Sequence, residues 1–98
     1  MVIEMEKTIF QKVMGNSPRE KVIEYLLEWN KYDLTISDIA RGSGVSRNKT
    51  TEIIDELAKQ KILKQTRTIG QGQFYILDNE NEIVKQLRKL FRTIVNVS

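Results

Sequence analysis

From Ser46 to Thr51 the chain reads Ser-Arg-Asn-Lys-Thr-Thr. These side chains suit the recognition of a polyanion that displays patterned polar edges. Arginine pairs bidentately with guanine and asparagine with adenine in the major groove of a duplex, and a threonine methyl packs on a thymine methyl. Serine is a preferred helix N-cap, and the free amides at a helix start carry partial positive charge that suits phosphate. Ser46, Arg47, Asn48, Lys49 and Thr51 are therefore the candidate contacts to double-stranded DNA. Taken singly, each is an ordinary surface residue; the cap is what aims them together.

Other chemistry is poorly provided for. The 98 residues include no cysteine and no histidine. That removes disulfides, thiolate zinc sites and thiol catalysis, together with the commonest general base and transition-metal ligand. The carboxylates are scattered among lysines and arginines, as on solvated helix faces. The expectation is a protein that is not an enzyme, with no cofactor and no metal. The formal net charge is +3, and it is unevenly placed. Six cations face three anions from Ser46 to Gln73, whereas four face five from Arg19 to Val45. The positive excess thus coincides with the candidate contacts. No apolar run approaches the roughly 18–20 residues that span a bilayer. The opening MVIEMEKTIF lacks the basic start and long apolar stretch of a signal peptide. A cytoplasmic protein with no membrane partner is expected.

The elements that must position Ser46–Thr51 follow from spacing and caps. Apolar Met5, Ile9, Phe10 and Val13 predict a helix over about 4–14, ended by Gly15-Asn16. Ser17-Pro18-Arg19-Glu20 is a capping-box pattern with proline at the first helical position. It opens a helix whose stripe is Val22, Ile23, Leu26 and Leu27, with Tyr25, Trp29 and Tyr32 along one edge of the core. Residues 30–34 read as a polar connection. Thr35 and Asp38 cap a short helix, 36 to about 41. Gly42-Ser43-Gly44 breaks it, and Ser46 caps the next helix, to about Gln60. Two helices crossing steeply over so short a turn need small residues at the crossing, met by Ala40, and a positive φ, met by Gly42 or Gly44. Val45 plugs the junction, and Ile39, Ile54 and Leu57 hold it to the preceding helix. Residues 62–69 and 74–77 are β-branched and aromatic around Gly70-Gln71-Gly72-Gln73, a hairpin signature. A last helix over about 80–95 has apolar positions Ile83, Leu87, Leu90, Phe91 and Ile94, with Asn79 and Glu82 as its N-cap signal.

The segments ISDIARGSGVSRNKT, EIIDELAKQKIL and KQTRTIGQGQFYIL resemble winged-helix transcriptional regulators, in particular small archaeal-type ones related to the MarR and ArsR groups. The resemblance covers about Ser17 to Leu77. It implies a mainly α fold with a small β-hairpin (α+β): a winged helix-turn-helix with additional N- and C-terminal helices. It also implies that the helix after the turn enters the major groove and that the hairpin is a wing near the adjacent minor groove or backbone. By position, Ser46, Arg47, Asn48, Lys49 and Thr51 would face DNA, and Arg67, Gln71 and Gln73 would lie on the wing. Thr50 falls where such proteins often carry a core aliphatic, so partial burial is expected. The chain departs from the pattern in a wing tip without a cation and in Glu52, one turn after Asn48, which needs a cationic partner or a cytosine amino group.

The chain reads as one domain, 1–98: an N-terminal helix (1–15), a winged-helix core (17–78) and a C-terminal helix (79–98). The two end helices carry apolar stripes that must be buried. Met5, Ile9, Phe10 and Val13 can pack on Leu87, Leu90, Phe91 and Ile94 within one chain or across two. A homodimer would set two recognition helices against half-sites about one turn, roughly 34 Å, apart. The expected function is a homodimeric, sequence-specific regulator of transcription. The alternative is a winged helix that binds protein partners.

Overall fold

The computed structural model describes residues 7–97. Its elements are α1 (Ile9–Met14), α2 (Pro18–Glu28), β1 (Leu34–Thr35), α3 (Ile36–Ser43), α4 (Arg47–Lys59), β2 (Leu63–Ile69), β3 (Gly72–Leu77) and α5 (Glu82–Val97). Helices α2, α3 and α4 pack around Val22, Leu26, Leu27, Ile39, Ile53, Ile54 and Leu57, all buried. Val45 is buried at the α3–α4 junction, as its plug role requires.

Local chemistry fixes the helix starts. The Thr35 hydroxyl accepts from the Asp38 amide at 3.1 Å, and the Asp38 carboxylate accepts from the Thr35 amide at 3.2 Å. This reciprocal box satisfies two amides that the first turn would otherwise leave unpaired. At α2 the Ser17 hydroxyl donates to the Glu20 carboxylate, which also accepts from the Ser17 amide at 3.4 Å.

Several boundaries differ from the sequence expectation. The first helix starts at Ile9, where Thr8 and Gln11 form a capping box, rather than near residue 4; Met5 lies outside the described residues. Helix α3 runs through Gly42 and Ser43, so the break is Gly44 alone. Gly44 has φ +74°, and the amides of Gly44 and Val45 both return to the Ala40 carbonyl, closing the helix in a left-handed cap. The polar connection after α2 ends in a strand: Leu34 and Thr35 pair with Tyr75 and Phe74. Two residues in a strand are too few to show a period. The sheet is antiparallel, in the order β1-β3-β2. The hairpin is tighter than expected, because Ile69 pairs with Gly72 and only Gly70-Gln71 turn. The last helix starts two residues later, capped by Asn81 rather than Asn79. The Asn81 Oδ1 accepts from the Ile83 amide at 2.8 Å, while its Nδ2 donates to the Lys61 carbonyl at 2.9 Å. Asn79 instead accepts from Arg88 at 3.1 Å. Trp29 and Tyr32 are exposed, leaving only Tyr25 of that trio packed against the core.

Helices α1 and α5 meet within one chain. Phe10 and Phe91 sit edge to face with ring centroids 6.0 Å apart, and Phe10, Val84 and Ile94 are buried. Among the described residues no helix is long and apolar enough to cross a membrane.

Candidate nucleic-acid interface

The Ser46 hydroxyl accepts from the Lys49 amide at 3.2 Å and so caps α4. The first turn of α4 then stands clear of the protein: Ser46, Arg47, Asn48 and Lys49 are exposed, while Thr50 beside them is wholly buried. Thr50 is more deeply placed than the sequence resemblance implied. Its hydroxyl points to the Val45 carbonyl at 3.5 Å, the limit of a hydrogen bond. Thr51 is half-buried, and its hydroxyl is spent on the Arg47 carbonyl at 2.9 Å. That leaves its methyl as the group with most to offer an outside partner.

Two contacts orient the cations of this turn. The Arg47 guanidinium donates to the Ser37 hydroxyl, tying the start of α4 to the first turn of α3. The Lys49 ammonium lies 3.4 Å from the Glu52 carboxylate, one helical turn on. Glu52 thereby has the cationic partner its position demanded. Exposed pairs of this kind contribute little to stability and exchange readily with other ions. Further along α4, Arg19 of α2 binds Glu56 at 2.7 Å and Gln60 at 3.0 Å, which gives that carboxylate a cationic partner of its own.

The wing meets this surface directly. Thr35, Ile36 and Ser37 at the start of α3, Arg47 of α4, and Gln71, Gly72 and Gln73 of the hairpin line one cleft of ≈180 Å³. The structure thus brings Arg47, Gln71 and Gln73 together; Ser46, Asn48, Lys49 and Thr51 belong to the α4 end outside that cleft. Gln71 is exposed in the turn. Gln73 belongs to β3, opposite Thr68, and accepts from the Tyr75 hydroxyl at 2.8 Å. Burial, with the Asp55 charge second, raises the pKa of Tyr75.

Arg67 is placed otherwise. Its Nε and Nη2 donate to the Asp33 carboxylate at 2.8 and 3.2 Å, and its guanidinium lies 4.4 Å from the Phe74 ring centroid. Sequence reasoning missed Asp33 and Ser37. Ser37 had a signal, as an exposed-face residue beside the Thr35 cap. Asp33 had none, since its partners are more than thirty residues away. Among the described residues no group of three or more metal-ligating side chains comes together.

The outer edge of α5 is the other notable surface. Ile83, Leu87 and Leu90, with Glu82 and Gln86, line an open apolar groove of ≈330 Å³. Ile83 is 59% exposed, and Val13 on α1 is 61% exposed. Ile9 is also exposed, and Leu87, Leu90 and Phe91 are half-buried.

No protein-family model and no curated protein matches the chain. Solved structures do. The adhesin competence repressor AdcR from Streptococcus pyogenes superposes with a TM-score of 0.62 at 22% identity, over 82% of this chain and 57% of that one. MepR, a transcription regulator of the Staphylococcus aureus multidrug efflux pump MepA, gives a TM-score of 0.64 at 16% identity, over 90% of this chain and 65% of that one. Human N-acetylserotonin methyltransferase gives 0.55 at 23% identity, over 76% of this chain but 22% of that one. The chain thus spans less than two thirds of the length of either regulator, and the same architecture also occurs inside a much larger enzyme. What these likenesses establish is the fold: the chain is an α+β winged helix-turn-helix.

Proposed function

We propose that the protein is a sequence-specific, double-stranded DNA-binding regulator of transcription that acts as a homodimer. The observation that carries this reading is the shared cleft. The capped start of α4 and the turn of the wing lie on one face, with Arg47, Gln71 and Gln73 around it. A recognition helix and a wing must engage one duplex together, and this juxtaposition allows it. Ser46, Arg47, Asn48, Lys49 and Thr51 supply the helix contacts, and Gln71 and Gln73 the wing contacts. Arg47 and Asn48 read base edges, Lys49 neutralises phosphate, and the glutamines hydrogen-bond without adding charge. The wing tip has no cation, so specificity rests on the first turn of α4 and on the spacing of two half-sites.

The dimer is supported by apolar surface that one chain leaves open. Phe10, Phe91 and Ile94 are already used within the chain. Ile83, Leu87 and Leu90 on α5, with Ile9 and Val13 on α1, remain for a second copy. The protein works without catalysis and without a cofactor, in the cytoplasm. On this reading it is akin to small archaeal-type winged-helix regulators, a likeness supported by the helix-turn-helix segment ISDIARGSGVSRNKT.

Selection of bound sequences from a random duplex pool tests binding, symmetry and spacing at once. The expected product is a palindrome with half-site centres about ten base pairs apart. Recovery of no enriched sequence, with capture of a protein partner by the same face, would establish the interaction-module alternative.

A further inference from the structure

We propose that Asp33 is the positioning residue of the wing, and that Arg67 is its strut rather than a contact to DNA phosphate. The inference rests on the DNA-binding reading for its consequence but not for its geometry. One carboxylate collects three hydrogen bonds from two consecutive wing residues. The Thr66 hydroxyl donates to Oδ2 at 2.7 Å, the Arg67 Nε to Oδ2 at 2.8 Å and the Arg67 Nη2 to Oδ1 at 3.2 Å.

Consecutive residues of a regular strand point to opposite faces and cannot share such an acceptor. Here the register slips: Gln65 pairs with Tyr75 and Arg67 with Phe74, leaving Thr66 as the extra residue of a bulge. A bulge re-aims side chains in this way, and it turns Thr66 and Arg67 toward the same partner. The Arg67 guanidinium then lies over Phe74, the residue of the central strand between β1 and β2. Its bidentate fork and its ring contact are both engaged within the protein.

Asp33 immediately precedes β1, and β1 runs into the Thr35 cap of α3. The clamp therefore couples the hairpin to the helix-turn-helix across the sheet. It holds Gln71 and Gln73 at the cleft beside Arg47. Because Asp33 neutralises Arg67, that arginine releases no counterions on duplex binding.

Amide hydrogen exchange of the free, full-length chain tests the clamp without DNA. In Asp33→Asn, and separately in Arg67→Lys, the amides of residues 66–74 are expected to exchange roughly fivefold faster, with those of α4 unchanged. Unchanged hairpin exchange in both variants overturns the clamp. Duplex affinity as a function of salt then tests the strut. Arg67→Gln is expected to weaken binding with the salt slope of the parent. A slope reduced by about 0.9, or tighter and more salt-dependent binding by Asp33→Asn, would make Arg67 a phosphate contact and overturn the proposal. If the parent binds no duplex at any salt concentration, the DNA reading fails on its own, and the exchange result still decides the clamp.

Discussion

Gly42 lies so close beneath the Tyr25 ring that a Cβ on it would come within 2.1 Å of Cε1 and Cζ. This is where α3 crosses α2. Gly42→Ala replaces a poor helix former with the best one, a gain of roughly 1 kcal/mol. It also forces the ring aside, and overpacking costs about 1–3 kcal/mol. The clash wins, so Gly42→Ala is expected to destabilise by about 1 kcal/mol in denaturant unfolding. In a Tyr25→Ala background the same change should stabilise, so the double variant is more stable than the sum of the two single changes implies.

Ser46 caps α4 and, in the proposed function, also faces the duplex. Ser46→Ala removes the oxygen that accepts from the Lys49 amide. Loss of a serine cap costs about 1 kcal/mol. The change should lower the melting temperature and loosen the α4 start, so duplex affinity falls further than the stability of the folded state. Equal affinity for parent and variant would show that the α4 N-terminus does not touch the duplex.

These elements differ in how plainly the sequence announced them. The boxes at Thr35 and Ser17, the left-handed turn at Gly44, the Ser46 cap and the stripe Ile54–Leu57 were legible because their partners lie within four residues. The start of the first helix was misread because Met5 fits the stripe, whereas Thr8-x-x-Gln11 holds the cap. Gly42 looked like a helix breaker, but it is a helical residue made small by its neighbour across the crossing. Asn79 and Asn81 are equivalent candidates by type, and the Lys61 carbonyl decides between them. The Asp33 clamp was invisible, since it depends on a sheet register and on a bulge. In the candidate site, the capped and exposed first turn of α4 was readable from one helix. The cleft that joins it to Gln71 and Gln73 needed the tertiary fold.

Phe10 tests how the terminal helices are used. It is 2% exposed and meets Phe91 edge to face. Truncating a buried phenylalanine costs about 3–5 kcal/mol. Helix α1 has only six residues, so the loss in Phe10→Ala is capped by the free energy of undocking it. The expected result is a drop of about 2–3 kcal/mol, with amides of residues 9–14 losing exchange protection first and α4 retaining it. A melting temperature unchanged at low protein concentration would show that Phe10 is not part of the core of one chain.

Acid should unfold the protein in part through Asp38. The Thr35 amide, hydrogen-bonded to its carboxylate, holds Asp38 below the ordinary aspartate range; burial opposes this, and the Thr35 hydroxyl and Arg41 add to it. A depressed folded pKa means stability present above about pH 4 and lost as pH falls through the folded value. Asp33, lowered first by the Thr66 hydroxyl and then by Arg67, acts in the same direction. Glu28, raised by burial and by Glu24, acts in the opposite one. Its penalty disappears on protonation. Asp38→Asn is therefore expected to flatten the stability profile between about pH 5 and 2, at a cost near neutrality of roughly half a kcal/mol. An acid limb identical to the parent's would remove Asp38 from this account.

The central claim is that the first turn of α4 reads a duplex. Its most direct test is the salt dependence of binding to a selected sequence, compared between the parent and Arg47→Ala/Lys49→Ala. The parent is expected to lose affinity linearly in log salt, with a slope of about 0.9 per phosphate neutralised. The double variant should bind the selected sequence about 10- to 100-fold more weakly, with a slope smaller by about 1. It should also discriminate poorly against random duplex while unfolding at the parent's temperature. Equal affinity and slope for the two proteins, or no duplex binding by the parent at low salt, would contradict the claim.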